Sequence, residues 1–341
     1  MDLNRRHFVA LVLGAAASAP ALRGAFAQAD PLPSWSDGAP KKAILDFVKA
    51  TTESGGAKFV PPEERIACFD QDGTLWVEQP IYTQLVYCFD RVPDVVKAKP
   101  RLAGEQPFKT VLSGDRAAMA RLPMNDLVKI VAATLTGMDV EVFREDVAKW
   151  IAEAHDPRWK RPYTDLIYLP QLELMRFLRA NGYKTYIVTG GGQDFVRAYA
   201  ERVYGVPPEQ VVGTAGRVRY QYDAAGKPVL MKEPTLLLND DKAGKPEGIH
   251  LVIGRRPRFA FGNSSGDREM CEYTTVGGGA RMAMLLLHDD GDREYAYGPA
   301  RGLPNSRVGT FPQALDDEAQ KKGWSVVSMK KDWNRVFAWA N

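Results

Sequence analysis

Sulfur and imidazole are scarce in this sequence. The 341 residues include three cysteines, Cys68, Cys88 and Cys271, and four histidines, and neither type recurs at a spacing that would assemble a metal cage. The cysteines are scattered and Cys68 sits in an apolar run, so buried thiols are expected rather than a disulfide framework. An excess of one charge is also missing. The formal net charge of +3 offers no basic surface for nucleic acid and none for an anionic membrane. No internal repeat occurs, and the only biased tract is a Pro/Ser/Gly-rich stretch at 31–40, which reads as a linker. The apolar segment at 10–22 is too short and too rich in Ala and Gly to span a bilayer well. The glycine run Gly190, Gly191, Gly192 is not followed by Gly-Lys-Ser/Thr, which excludes a P-loop.

What is present is organised around Cys68-Phe69-Asp70-Gln71-Asp72-Gly73-Thr74-Leu75-Trp76. A short apolar run that stops at two carboxylates reads as a buried parallel strand whose end carries Asp70 to the sheet's carboxyl edge, where ligands bind in open α/β sheets. Alternation along extended backbone turns Asp70 and Asp72 to one side and Gln71 to the other, and Gly73 allows a sharp turn. Carboxylates this close repel unless a cation lies between them or one holds a proton. A hard cation such as Mg²⁺ takes oxygen ligands and brings phosphate with it. One carboxylate is then a candidate nucleophile and the other a proton donor. The structural alternative is an Asx-rich turn after a strand.

Downstream, apolar spacing predicts a helix at 41–52 and then mostly helix from 80 to 162. Shared faces there are Ile81, Leu85, Val86 and Phe89; Leu127, Ile130, Val131 and Thr134; and Phe143, Val147, Trp150 and Ile151. A helix at 170–180 leads to a buried strand at 183–188. That strand ends in Thr189 and the glycine run, with a helix over 193–204 beyond. Strand, glycine turn and helix N-terminus make an anion site through unpaired backbone N–H groups, and Thr189 adds a hydroxyl. A hairpin is expected over 217–231, and Lys242 and Lys245 precede a buried strand at 258–261. That strand ends in Gly262-Asn263-Ser264-Ser265-Gly266-Asp267. A further strand at 281–287 runs into His288-Asp289-Asp290, read by default as a turn. A helix at 311–323 and a strand at 324–329 follow, and Trp333, Phe337 and Trp339 are expected to pack on the domain.

Asp70-Gln71-Asp72-Gly73-Thr74, Thr189 with its glycines, a lysine before the next strand, and the loop to Asp267 occur in this order, each near a buried strand. Together they resemble the four motifs of the haloacid dehalogenase superfamily over roughly residues 65–287, with a glycine run close to that of phosphoserine-phosphatase-like members. The resemblance implies a doubly wound, three-layer α/β/α parallel sheet with a helical cap inserted at 80–162, the core being 65–79 and 163–341. It implies a Mg²⁺-dependent phosphomonoester hydrolase. Asp70 would attack phosphorus, Asp72 would serve as acid and then base, and Thr189, Gly190, Gly191 and Lys245 (favoured over Lys242) would hold the phosphoryl oxygens. The cation would rest on Asp70, the Asp72 carbonyl and Asp267. Where many members read Gly-Asp, this chain has Gly262-Asn263, so Asn263 is a second, neutral ligand candidate. That change also motivates a non-catalytic phosphate-binding protein as an alternative, and phosphoryl transfer to an acceptor other than water is another. Trp76, Glu78 and Gln79 are candidates for substrate choice, and Glu78 reads equally as a solvated carboxylate.

The N-terminus, Asn4-Arg5-Arg6-His7-Phe8-Val9 followed by the weakly apolar segment and Ala25-Phe26-Ala27, resembles a bacterial twin-arginine signal peptide over 1–29. It implies a periplasmic or secreted protein that acts on a small phosphomonoester and has no membrane attachment after cleavage. Residues 30–64 are expected to be linker and helix.

Overall fold

Four residues of unbroken burial, Ile66–Phe69, form β1, and the sheet is built outward from them. The computed structural model describes residues 29–340; the twin-arginine motif and its apolar segment lie outside the described residues. The other strands are β2 (Lys184–Gly192), β3 (Val211–Tyr222), β4 (Pro228–Leu238), β5 (Phe259–Gly262), β6 (Met282–Leu287) and β7 (Ser325–Ser328). They form one seven-stranded sheet in the order β4-β3-β2-β1-β5-β6-β7. Every pairing is parallel except β3 with β4. Parallel strands need crossovers, and the helices that supply them cover both faces, giving three α/β/α layers.

Alternation along β1 decides what each layer packs. Ala67 and Phe69 join the larger core with Phe259 and Phe261. Helices α1 (Ala39–Thr52) and α7 (Leu169–Ala180) close that side through Ile44 and Leu174. Ile66 and Cys68 face the other way, onto Ile249 and Met270. Phe69 lies opposite both Ile187 and Phe261. Asp70, Thr189 and Asn263 therefore all leave the sheet at one edge.

Between β1 and α7 the chain is helical: α2 (Thr83–Ala98), α3 (Phe108–Leu112), α4 (Arg116–Ala120), α5 (Met124–Leu135) and α6 (Val140–Glu153). The expected faces of α5 and α6 hold: Ile130 and Thr134 are buried, as are Phe143, Val147 and Ile151. The face of α2 is rotated from expectation, with Thr83, Tyr87, Cys88 and Val92 buried. Tyr87 can bury its ring because its hydroxyl donates to Asp146 at 2.7 Å.

Several boundaries differ from those read in the sequence. The stretch at 31–40 is no free linker. Leu32 and Trp35 are buried, the Trp35 indole donates to the Pro170 carbonyl at 2.9 Å, and Trp35 pairs edge-on with Trp333. Its prolines and glycine shape turns, but two large apolar side chains fasten it to the core. The single helix expected at 193–204 is two short ones, α8 (Gln193–Arg197) and α9 (Ala200–Tyr204). Tyr199 leaves helical geometry at φ −137°, and its ring stacks on Trp76. The hairpin is longer than expected because β3 begins as a sheet strand beside β2 before it turns out with β4. Trp333 and Phe337 pack on the domain as anticipated, and all three cysteines are free and buried. The remaining helices are α10 (Gly244–Gly248), α11 (Arg268–Thr275), α12 (Gln313–Lys322) and α13 (Met329–Asp332).

Candidate active site

Lys245 lies at the centre of the carboxyl edge. It sits in α10, 2 % exposed, and its ammonium donates to Asp70 Oδ1 at 2.5 Å, Asp267 Oδ1 at 2.6 Å and the Val188 carbonyl at 2.9 Å. All three ammonium hydrogens are thereby used. Of the two candidate lysines, Lys245, the one favoured in the sequence, lies here. Lys242 is in a turn at φ +54°, where its backbone N–H meets Gly266 O.

Asp70 directly follows β1, and its backbone N–H donates to Phe261 O. Its second oxygen, Oδ2, is 3.5 Å from the Thr74 hydroxyl, which also lies 3.2 Å from Asn263 Oδ1. Thr74 thus brings a carboxylate oxygen and an amide oxygen to one point. Asp72 is half-buried. The Trp76 indole N–H donates to its Oδ1 at 2.7 Å, and its Oδ2 faces Gly191. Gln71 turns away to Tyr199, as alternation predicted. Trp76 is fully buried, so its place is to orient Asp72 rather than to meet substrate.

Thr189 closes the site from β2. Its Oγ1 accepts from Gly191 N at 3.0 Å, and the hydroxyl hydrogen remains available to another acceptor. Gly190 and Gly191 stand at a register shift in the β2–β3 pairing. The break at Tyr199 leaves only a five-residue helix behind them, so the helix-dipole part of the expected anion site is lost. The neighbouring Gly192 N–H is taken by Gln84 Oε1 at 2.7 Å. Gln84 comes from α2 in the insert, and sequence reasoning missed it because an isolated glutamine carries no signal.

Asp267 and Asn263 come from the loop after β5. Asp267 is fully buried, and its Oδ2 accepts from the backbone N–H groups of Asn263 and Ser264 at 2.9 and 3.0 Å. With Oδ1 on Lys245, both carboxylate oxygens are engaged. Asn263 Oδ1 shares Thr74 with Asp70, whereas Asp267, expected as the main cation ligand, braces Lys245 and the loop.

Burial is the main influence on the acidic pair. It pushes Asp70 up to about 8, with the Asp267 charge adding to it and Lys245 opposing. It pushes Asp72 up to about 6, against the pull of the Trp76 hydrogen bond and Lys245. A carboxyl near 6 can give and retake a proton near neutrality. Burial alone would lower Lys245, but Asp267 and Asp70 hold it above its ordinary value, so it keeps its charge.

The turn after Asp70 is propped from behind by residues that sequence left as a turn or a solvated loop. One His288 ring nitrogen lies 2.7 Å from Gly73 O and the other 3.0 Å from Glu294. Tyr297 stacks on His288 at 4.4 Å and donates to Glu78 at 2.8 Å. Glu78 is buried, not solvated. Gln79 is held by Ser306 and the Val308 carbonyl.

A family model for haloacid dehalogenase-like hydrolases matches residues 67–272, and the chain belongs to that family. The solved structures it resembles include a functionally unknown protein from Anaerococcus prevotii, at 14% identity and TM-score 0.46 over 74% of this chain and 86% of that one. A protein of unknown function from Bordetella pertussis follows at 15% and 0.45, over 77% and 98%. A phosphoserine phosphohydrolase-like protein from Francisella tularensis stands at 18% and 0.33, over 66% and 88%. No curated protein matches the chain.

Proposed function

We propose that this hydrolase is a Mg²⁺-dependent phosphomonoester phosphatase acting through an aspartyl-phosphate on Asp70. The observation that carries the reading is the placement of Asp70. It is 7 % exposed, with one oxygen clamped by Lys245 and the other turned toward Thr74, while Asp72 and Thr189 border the same edge. Asp70 attacks phosphorus and the ester oxygen leaves, taking the proton of Asp72. Asp72 then draws a proton from water as the water attacks the phosphorus, releasing phosphate and restoring the Asp70 carboxylate. The Thr189 hydroxyl and the backbone at Gly190 meet the phosphoryl oxygens; Lys245, whose hydrogens are already engaged, acts on them through its charge, and Gly191 N, which donates to Thr189, would have to change partner to join.

The donor chemistry fits a hard cation. Asp70 Oδ2, Asn263 Oδ1 and the Asp72 main-chain carbonyl are all oxygens, and the first two already share Thr74. When bound there, Mg²⁺ would offset the negative charge that otherwise holds an anionic substrate away from Asp70. Asn263 keeps a second reading open, a phosphate-ligand binding protein without turnover. Retention of Asp70, Asp72, Thr189 and Lys245 in one site favours the enzyme. Transfer of the phosphoryl group to an alcohol is tested by adding such acceptors.

The insert α2–α6 is proposed as the cap that selects a small-molecule phosphomonoester, with Gln84 its reach into the phosphate site. The N-terminal arginine pair supports export to the periplasm or medium. Among the described residues no helix is long and apolar enough to cross a membrane. Phosphate release from a panel of phosphomonoesters, with Mg²⁺ and with chelator, tests the proposal. Metal-dependent release abolished by Asp70→Asn is expected. Phosphate binding without release from any ester would move the assignment to the binding protein.

A further inference from the structure

The cation pocket is short of charge. Asp267 is engaged on both oxygens and Asp70 is half-neutralised by Lys245. Among the described residues no three His, Cys, Asp or Glu side chains are grouped to hold a metal ion. A pocket of one shared carboxylate, an amide and a carbonyl is a weak partner for a dication.

A second carboxylate stands directly behind the amide. Glu78 is 2 % exposed, and its Oε1 accepts from Asn263 Nδ2 at 2.7 Å and from the Tyr297 hydroxyl at 2.8 Å. Both donors are neutral. The backbone on either side makes room for the Glu78 carboxyl group. A Cβ on Gly73 would overlap Asn263 Nδ2 and Glu78 Oε1, and one on Gly309 would overlap Glu78 Oε1; both glycines have positive φ, +73° and +62°. The contact also fixes the amide. With Nδ2 held by Glu78, Oδ1 must face Thr74 and Asp70. Without it, the amide is free to flip and present hydrogens to the pocket.

We propose that Asn263 and Glu78 together replace a single aspartate: Asn263 supplies the ligand oxygen, and Glu78, a positioning residue one hydrogen bond behind, fixes the amide's orientation and places a second carboxyl group beside the pocket. The inference rests on the metal-dependent reading above. Outer-shell carboxylates of this kind tune metal affinity about 10- to 100-fold.

Mn²⁺ binding to the purified protein, followed by electron paramagnetic resonance without substrate, provides the test. Glu78→Gln is expected to weaken binding about tenfold or more. Asn263→Asp alone sets two carboxylates against each other and is expected to lower the melting temperature of the metal-free protein. Glu78→Gln combined with Asn263→Asp exchanges the two roles, and affinity is expected to return to within about threefold of wild type. Binding by Glu78→Gln within about twofold of wild type, or no recovery in the double variant, overturns the inference. If Glu78→Gln does not fold, the double variant against wild type decides alone, and a loss of about tenfold or more overturns it. A wild-type protein that binds no Mn²⁺ would instead overturn the metal-dependent reading itself.

Discussion

Replacing Lys245 by Met should damage stability before it damages chemistry, and the damage should depend on pH. The side chain is 2 % exposed and donates three hydrogen bonds, two of them to the carboxylates of Asp70 and Asp267 at 2.5 and 2.6 Å. Met fills much the same volume but leaves two buried carboxylates facing each other without their cation. Removing one partner from a buried ion pair costs about 3–5 kcal/mol, which is on the order of 5–10 °C in melting temperature for a chain of this size. The sign with pH follows from Asp70. Its folded value is already raised from 3.8 to about 8. Stability tied to it is fully present below the unfolded value and is lost as pH rises through the folded one. Lys245 is the charge that opposes the upward shift at Asp70, so its loss raises Asp70 further, and the deficit should be largest near about pH 8 and shrink toward about pH 5 as Asp70 takes up a proton. Thermal unfolding with chelator present, at both pH values, measures it. A Lys245→Met protein within about 1 kcal/mol of wild type at the higher pH would refute the view that this lysine holds the two aspartates together.

Asp72→Asn should lower kcat/KM, which reports formation of the aspartyl-phosphate and not its hydrolysis, about 10²- to 10⁴-fold on alkyl phosphates, whose leaving oxygen needs a proton, and much less on nitrophenyl phosphate, whose leaving group does not. Equal losses on both would deny Asp72 the role of acid. Gln84→Ala frees the Gly192 N–H and removes the insert's contact with the glycine run. It should reorder KM across a substrate panel while kcat on the best small ester changes by less than about tenfold. A uniform loss of kcat would place Gln84 in the chemistry instead.

The core of this site was legible because its residues are signalled by strands. Asp70, Thr189 and Asn263 each follow apolar residues at the end of a strand, Asp267 lies four residues past Asn263 in the same loop, and a parallel sheet must bring such strand ends to one edge. Lys245 was favoured on local grounds alone, from the Lys-Pro-Glu-Gly-Ile run, and α10 indeed carries it back into the core. Geometry within the loop was not legible. Whether Asp267 or Asn263 faces Asp70 depends on two backbone N–H groups captured by Asp267 Oδ2, and no residue pattern announces that. Nor did anything local mark His288, Glu294, Tyr297 and Glu78 as one buried prop, because Glu78 lies far along the chain from the other three and meets them only through packing. Tyr199 defeated the helix reading for the same reason: its ring is drawn to Trp76 at 5.3 Å, and that contact outweighs helical propensity over 193–204.

If the insert selects substrate and the glycine run binds phosphate, as proposed, the two functions are mechanically joined in this fold. Hairpin strand β4 runs beside the start of α6, where Gly137 N donates to Lys232 O at 2.8 Å and Lys232 N to Met138 O at 2.9 Å. The Lys232 ammonium reaches Asp194 at 2.5 Å, and Arg144 of α6 reaches the same carboxylate at 3.1 Å. Asp194 stands in α8, just beyond the glycine run. Burial would raise its carboxyl, but Lys232 and Arg144 together hold it below the ordinary value, so both contacts persist at neutral pH. Insert, hairpin and glycine run are thereby tied at Asp194, and tied again where Gln84 meets Gly192. The insert cannot lift from the core without breaking the ion pair at Asp194, just beyond the glycine run. A substrate that alters the seating of the insert therefore acts on Thr189 and Gly191 as well, and discrimination between substrates should appear in the phosphoryl-transfer step as much as in binding.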